Sequence, residues 1–349
     1  MTTGEPVVGP FTVPVVVTGA SGMLGRAVAR TLADAGHAVR TLQRSPSGLA
    51  GHRSPAGGTV EDVAVDLAAP AAAPALRAAL EGAEAVVHLA AKVSVSGPWA
   101  AYRRTNVEGT QRLLDAAGAA GVRRFVQVSS PSVAHTGEPL VGVPAGPADP
   151  GAARGRYARS KAMAEQAALA ADGPDLAVVA VRPHLVWGPG DTQLVARVVA
   201  RSRAGRLPLL DGGTALVDST YVDDAADALA AAAARAADPQ VHGRALVVSS
   251  GEPRTVGELL ASLCAAHGAP LPARSVPAGL ARAAGGLVEA LWAVRPGLGG
   301  DDEPPMTRFL AEQLSTAHWF DQRETRRLLR WSPRVGLDAG FARLAAAAA

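Results

Sequence analysis

The sequence predicts an α/β fold: a doubly wound parallel sheet with a smaller, mainly helical C-terminal lobe. Three observations predict it. Apolar runs alternate with helix-patterned stretches from residue 13 onward. The runs are apolar almost throughout rather than at every second position, which implies strands covered on both faces. The first run leads through a glycine turn straight into a helical stretch, the opening of a βαβ arrangement.

Each element follows from its composition. Val13 to Thr18 is a short β-branched strand, and Leu24 to Ala35 a helix closed by Gly36. Ala38 to Leu42 is a second strand and Val60 to Val65 a third, with a Pro/Gly/Ser loop from Ser45 to Gly58 between them. "AEAVVHLAA" (83–91) reads as a fourth strand, and Trp99 to Ala120 as a long helix stopped by Gly121. "RRFVQVSS" (123–130), the helix "YARSKAMAEQAALAAD" (157–172) and "LAVVAVRP" (176–183) continue the alternation. It decays after Gly188, and Ala245 to Ser249 is a seventh strand that rejoins the sheet. The expected organisation is a flexible extension over 1–12, a nucleotide-binding domain over 13–185 plus about 214–250, and a substrate lobe over 186–213 and 251–349.

Composition excludes several functions. The net charge is only +3 and the arginines are scattered among acids, so no nucleic-acid stripe is expected. The single cysteine, Cys264, excludes an internal disulfide and fits a reducing, cytoplasmic compartment. The N-terminus lacks a signal-peptide pattern, and no run is long enough to span a membrane. Ala278 to Val294 reads as a core helix, with a peripheral membrane helix as the alternative. The eight histidines show no metal-ligand spacing, so no metal is expected.

"VVVTGASGMLG" sets Gly19, Gly22 and Gly25 between strand and helix. Glycines let the backbone approach a pyrophosphate, and the helix N-terminus offers free N–H groups and the positive end of a dipole. The spacing G-x-x-G-x-x-G resembles that of the extended short-chain dehydrogenase/reductases. The resemblance continues through Asp66-Leu67, "HLAA" at 88–91, "NVEGT" at 106–110, "SSPS" at 129–132, Tyr157-x-x-x-Lys161 and "RPHLVWGPG" at 182–190. It implies a Rossmann-type fold. It also implies cofactor contacts from the turn (Gly19, Ser21, Gly22, Met23, Leu24, Gly25) and from Asp66, Leu67, Ala90, Tyr157, Lys161 and Pro183.

The second strand ends "TLQRSPS", without the acid that would hold a ribose 2′-hydroxyl. Gln43 and Arg44 offer an amide and a cation suited to a 2′-phosphate, and Arg26 adds a second charge. NADPH is therefore expected over NADH.

The chain has only two lysines, Lys92 and Lys161, among 34 basic residues, and only three tyrosines. Chance would place a lysine four residues after a tyrosine about 0.02 times in such a chain. Residues four apart share a helix face, so the Tyr157 hydroxyl and Lys161 ammonium can converge on one cleft. Lowering a phenol to a pKa of about 7 takes about 4 kcal/mol, and a compact nearby cation is expected to supply it. The resemblance adds Ser130, which orients the reacting carbonyl, with Ser129 as its substitute, and Asn106, which supports the site. The implied reaction is hydride transfer between a nicotinamide and a carbonyl carbon, with Tyr157 as proton donor.

For the substrate, "SSPSVAHTG", "DSTYVDDAADA" and the tail "DEPPMTRFLAEQLSTAHWFD" resemble the 3β-hydroxysteroid dehydrogenase branch. That tail, with "RLLRWSPRVGLDAG" (327–340) after it, is especially similar to those of bacterial 2-alkyl-3-oxoalkanoate reductases of olefin biosynthesis. That implies an apolar keto-acid, with a steroid-like ketone as the alternative and a non-catalytic NADP(H) sensor as a third. Candidate lining for the apolar part is Leu194, Val195, Val198, Leu280, Leu287, Leu291 and Trp292. His135 and His184 are candidates for the carboxylate, and Trp187 and Tyr221 for the cleft wall. A homodimer and association with pathway enzymes or a membrane surface are compatible with the sequence.

Overall fold

The computed structural model describes residues 13–94, 97–294 and 307–349, the side chains of 289–294 excepted. The expected extension over 1–12 lies outside the described residues. Seven parallel strands form the central sheet: β1 (Val15–Thr18), β2 (Ala38–Gln43), β3 (Thr59–Ala64), β4 (Ala85–His88), β5 (Arg124–Val128), β6 (Ala177–Pro183) and β7 (Ala245–Val248). Their order across the sheet is β7-β6-β5-β4-β1-β2-β3. The direction of winding reverses between β1 and β4, where Val15 pairs with both Val39 and Ala85. In an open α/β sheet the ligand crevice lies beyond the C-terminal strand ends at such a reversal.

Alternate strand residues feed two buried clusters. Val15, Val17, Val87 and Val126 pack under α1 (Met23–Asp34), whereas Val16, Val86, Phe125 and Val178 pack under α2 (Ala73–Leu80) and α3 (Gly109–Ala119). The apolar strands are thus covered on both faces, as their composition implied. The helix α2 was not foreseen in the sequence. Two prolines, Pro70 in the 3-10 turn before it (Pro70–Ala72) and Pro74 in its own first turn, suggest a break, but each stands at a helix start, where a missing N–H costs nothing. The expected long helix begins as one turn (Trp99–Tyr102) and passes through a π-helical stretch (Arg103–Glu108) before α3.

Helix α4 (Gly155–Ala170) is locked to β6 by a fully buried ion pair. Arg182 Nε donates to Glu165 at 2.9 Å, one terminal nitrogen to the other carboxylate oxygen at 2.5 Å, and the second to Gly146 O at 2.7 Å. This two-pronged geometry offsets the cost of burying both charges and fixes α4 over the strand ends.

The remaining α-helices among the described residues are α5 (Val195–Arg203), α6 (Val222–Arg235), α7 (Val256–Ala266), α8 (Ala278–Val294), α9 (Arg308–Ser315), α10 (Arg323–Leu329) and α11 (Leu337–Ala348). The alanine-rich α6 lies against α1, and α10 returns to the sheet, with Thr325 Oγ1 donating to Val247 O at 2.8 Å. A small four-stranded sheet joins Arg254–Thr255, Leu216–Val217, His318–Phe320 and Leu140–Val143. It brings the region after β5 against the tail. No helix among the described residues is long and apolar enough to cross a membrane. In α8, Ala278 and Ala281 are buried while Leu280 and Leu287 are exposed.

Candidate active site

The glycine turn separates what the chain needs from what a ligand needs. Gly19 has a φ of +76°, and a Cβ there would lie 2.9 Å from the Ala90 backbone. A Cβ on Gly25 would meet Gly19 O at 2.4 Å, so this glycine lets α1 sit on the turn. Gly22, the N-cap of α1, has no such need: a Cβ there would find only Gly19 O, at 3.5 Å. It keeps open the space before the first turn, where Met23, Leu24 and Gly25 begin a helix without a side-chain cap. An uncapped N-terminus behind an open cradle fits a pyrophosphate. Ser21 is exposed at its rim.

Behind the turn runs a buried relay. The amides of Leu89 and Ala90 donate to Thr18 Oγ1, which lies 2.7 Å from His88 Nδ1. On the other side His88 Nε2 lies 2.9 Å from Thr110 Oγ1, whose own proton goes to Asn106 O. Thr110 must therefore accept from Nε2–H, leaving Nδ1 to accept from Thr18. Burial, with the charge of Lys161 nearby, pushes His88 down to about 3, so this ring is a neutral spacer between the turn and the π-helical stretch.

At the end of β2, Arg44 is exposed, as is Arg26 in the first turn of α1. Gln43 departs from expectation. It is buried, and its amide nitrogen donates to Thr41 Oγ1 at 3.0 Å rather than facing a cofactor. Asp62, opposite Thr41 on β3, accepts from Ser47 N, Ser47 Oγ and Thr41 Oγ1. Burial would raise its pKa, but these bonds outweigh it and hold the carboxyl below its usual range. Asp66 is exposed after β3 and accepts from Ala68 N at 2.9 Å, while Leu67 is buried beside it. Pro183 closes β6.

Tyr157, Ser130 and the neighbouring Ser132 line one cavity. Ser130 caps a short 3-10 turn: it accepts from Ser132 N at 3.3 Å, and the two hydroxyls are 2.9 Å apart. Ser129 is buried away from the cavity, so the structure brings Ser130 and not Ser129 to Tyr157. Asn106 Oδ1 accepts from Lys92 N at 2.7 Å, and its Nδ2 donates to Lys92 O and to Ser160 Oγ. Ser160 in turn donates to Tyr157 O at 2.7 Å, so Asn106 braces the start of α4 from the π-helical stretch, a common place for functional residues.

Lys161 is buried on the same helix, and its Nζ donates to Val128 O at 2.6 Å. Burial lowers it to about 8, against a smaller opposing effect of Glu165. Tyr157 corrects the sequence expectation. Rather than falling toward neutrality, its hydroxyl is pushed up to about 12, first by desolvation and then by Tyr102. In the protein alone the lysine is drawn to the strand carbonyl, and a poorly solvated phenolate is disfavoured. At neutral pH Tyr157 is therefore a phenol and Lys161, one turn along the same helix, an ammonium, the state in which the phenol can donate a proton.

The cavity has a volume of about 360 Å³. Leu194, Val198, Val256, Leu259, Leu260, Phe309, Leu310 and Leu314 make most of its wall apolar, and His135, His184 and His318 form a polar corner. Leu194 and Val198 of the expected lining are present, whereas Leu280 and Leu287 face outward. The side chains of Leu291 and Trp292 lie outside the described residues. Trp187 and Tyr221 are not brought to the cavity. Trp187 stacks on Phe341 at 4.4 Å, meets Tyr221 edge-on at 5.4 Å and donates to Ser219 Oγ. Gly340 fits so tightly between the two rings that a Cβ would come within 2.9 Å of both. Leu185, between His184 and this cluster, holds a φ of +40°, a conformation rare for leucine and one that sequence does not signal. Ser132 and His318 were also missed. Ser132 had a signal in the doubled serine pattern of "SSPS", and His318 had none beyond its place in "AHWF".

A parallel sheet in this order, with an open glycine cradle and a Tyr-x-x-x-Lys helix at its C-terminal edge, defines a nicotinamide-dependent oxidoreductase of the short-chain type. The comparisons agree. Residues 15–248 match the model of the NAD dependent epimerase/dehydratase family, and the chain belongs to that family, the extended short-chain dehydrogenase/reductases. It is 40% identical to a 2-alkyl-3-oxoalkanoate reductase of Stenotrophomonas maltophilia, over 96% of this chain and 99% of that protein. It is 36% identical to one of Shewanella oneidensis, over 95% and 85%. Among solved structures it is similar to MoeE5 in complex with UDP-glucuronic acid and NAD, with a TM-score of 0.70 and 25% identity, covering 96% of this chain and 98% of that one.

Proposed function

We propose that the chain reduces the 3-keto group of a 2-alkyl-3-oxoalkanoate to the 3-hydroxy acid, with NADPH as reductant. One observation carries the reading: a largely apolar cavity reaches the Tyr157–Ser130 wall. A substrate with two alkyl chains needs such a wall, and a sugar nucleotide does not. The names of the two relatives support the same substrate class.

The cofactor, held at the glycine cradle and by Lys161, supplies hydride to the carbonyl carbon when bound. The chain's own residues do the rest. Ser130, oriented by Ser132, hydrogen-bonds the carbonyl oxygen where charge develops. Tyr157 gives that oxygen its proton, and the Lys161 ammonium stabilises the phenolate left behind. Arg44 and Arg26 hold the 2′-phosphate. The test is NADPH oxidation across 2-alkyl-3-oxo acids of increasing length, run beside a 3-ketosteroid. Preferential turnover of the rigid ketone would move the assignment to a steroid dehydrogenase, and binding of NADPH without any turnover would make the chain a sensor.

Cofactor choice gives a separate expectation. Arg44→Asp should shift the NADPH/NADH ratio of kcat/KM toward NADH by about tenfold or more, since a carboxylate repels a 2′-phosphate and accepts from a 2′-hydroxyl. An unmoved ratio would make Arg44 an ordinary surface residue.

A further inference from the structure

The polar corner of the cavity is unusual for its unpartnered nitrogens. His135 is 1% exposed, and neither ring nitrogen has a partner within the protein. His318 is 3% exposed, and its Nδ1 is likewise unpartnered. Its ring lies 5.0 Å from that of His184 and 6.4 Å from that of His135, centroid to centroid. Leaving such groups dry is costly, so a ligand or water that satisfies them is favoured. Among the described residues no set of three His, Cys, Asp or Glu is placed to hold a metal ion.

The bonding assigns the protons. His184 Nδ1 lies 2.5 Å from Asp218 Oδ1, while Asp218 Oδ2 accepts from Ser249 Oγ at 2.7 Å and Phe320 N at 3.0 Å. With Nδ1 committed to Asp218, Nε2 is the atom of His184 left for a ligand. His318 Nε2 lies 2.8 Å from Gln313 O, so it donates there and its Nδ1 is bare. His135 contributes one N–H and one lone pair. The neutral rings of His318 and His135 therefore hold two lone pairs and one donor, a poor partner for a bare carboxylate and a good one for a carboxylate that arrives with a proton. Burial supports a neutral resting state: it pushes His318 down to about 4 and lowers His135.

We infer that the His135–His184–His318 corner docks the carboxyl group of the substrate and takes up one proton as it does so. This rests on the keto-acid reading and adds a reason for the acid. The docked carboxyl sets which end of a two-chain substrate faces Tyr157. Other charged groups bear on the corner. Asp218 lies under His184, and Glu312, which accepts from Arg308, lies near His135, as do Glu138 and Arg154. Arg156, Tyr157, Arg197 and Arg201 stand elsewhere on the cavity wall.

The test uses 2-hexyldecanoic acid, which has both chains and the carboxyl but no group to reduce. Its binding to the full chain is measured by calorimetry near pH 8 in two buffers of different ionisation enthalpy, with 2-hexyldecan-1-ol as control. The acid should bind with uptake of about one proton, and the alcohol with none. His135→Leu, which removes no hydrogen bond of the folded protein, should weaken the acid roughly tenfold and leave the alcohol within about twofold. Acid binding without proton uptake, or equal weakening of acid and alcohol, would overturn the inference. Should the variant fail to fold, the wild-type buffer comparison decides alone. Proton-coupled acid binding with no turnover of any keto acid would leave the docking site standing and remove the reductase reading. Turnover with proton-independent binding would do the reverse.

Discussion

Lys161→Arg is expected to lower kcat at least a hundredfold, nearly as far as Lys161→Ala, although it keeps the charge. A hundredfold is about 2.7 kcal/mol of barrier. The side chain is buried, and its ammonium donates to Val128 O at 2.6 Å, a single point contact at the end of β5. A guanidinium is planar and larger, so it cannot occupy that point and also present a rotatable donor to a ribose and a phenolate. The pH profile gives a second readout. Burial holds Lys161 at about 8, so the ammonium is present below that pH and lost above it. Reduction by the wild type should therefore fall as pH rises through about 8, and the residual activity of the arginine variant should lack that limb. Retention of more than about a tenth of wild-type kcat, a loss under about 1.4 kcal/mol, would show that any cation serves.

That expectation was partly legible in the sequence. The scarcity of lysine marked Lys161, and helical spacing put it on one face with Tyr157. The sheet was legible for the same reason: β1, β2 and β4 to β7 are short apolar runs whose pattern is complete within each strand. What could not be read depends on distant partners. Leu140–Val143 and His318–Phe320 are brief strands that pair only after nearly half the chain has intervened, and their pairing delivers His318 to the cavity. Tyr157 was expected to acidify beside Lys161. Its rise to about 12 comes from surroundings, Tyr102 included, that the motif itself does not encode. Trp187 and Tyr221 sit in motif-rich segments, yet Phe341 and Gly340, far along the tail, draw them into the core.

Lengthening a 2-alkyl-3-oxo acid by four carbons should raise kcat/KM by about two orders of magnitude until the cavity is full. Each methylene moved from water to an apolar wall contributes up to about 0.8 kcal/mol, and four give about 3 kcal/mol. The wall is suited to this: Val198 from α5, Leu259 and Leu260 from α7, and Leu310 and Leu314 from α9 converge on one space of about 360 Å³. Because three helices contribute, the gain should end abruptly once the chains reach the far side, where another methylene must either displace packed side chains or return to water. Leu194→Trp should move that limit to shorter chains while leaving a short keto acid within about twofold, since Leu194 lines the cavity and makes no contact needed for proton transfer. A rate that is flat with chain length would mean that the cavity does not bind the alkyl chains. A gain that persists in Leu194→Trp would place the chains along another part of the wall.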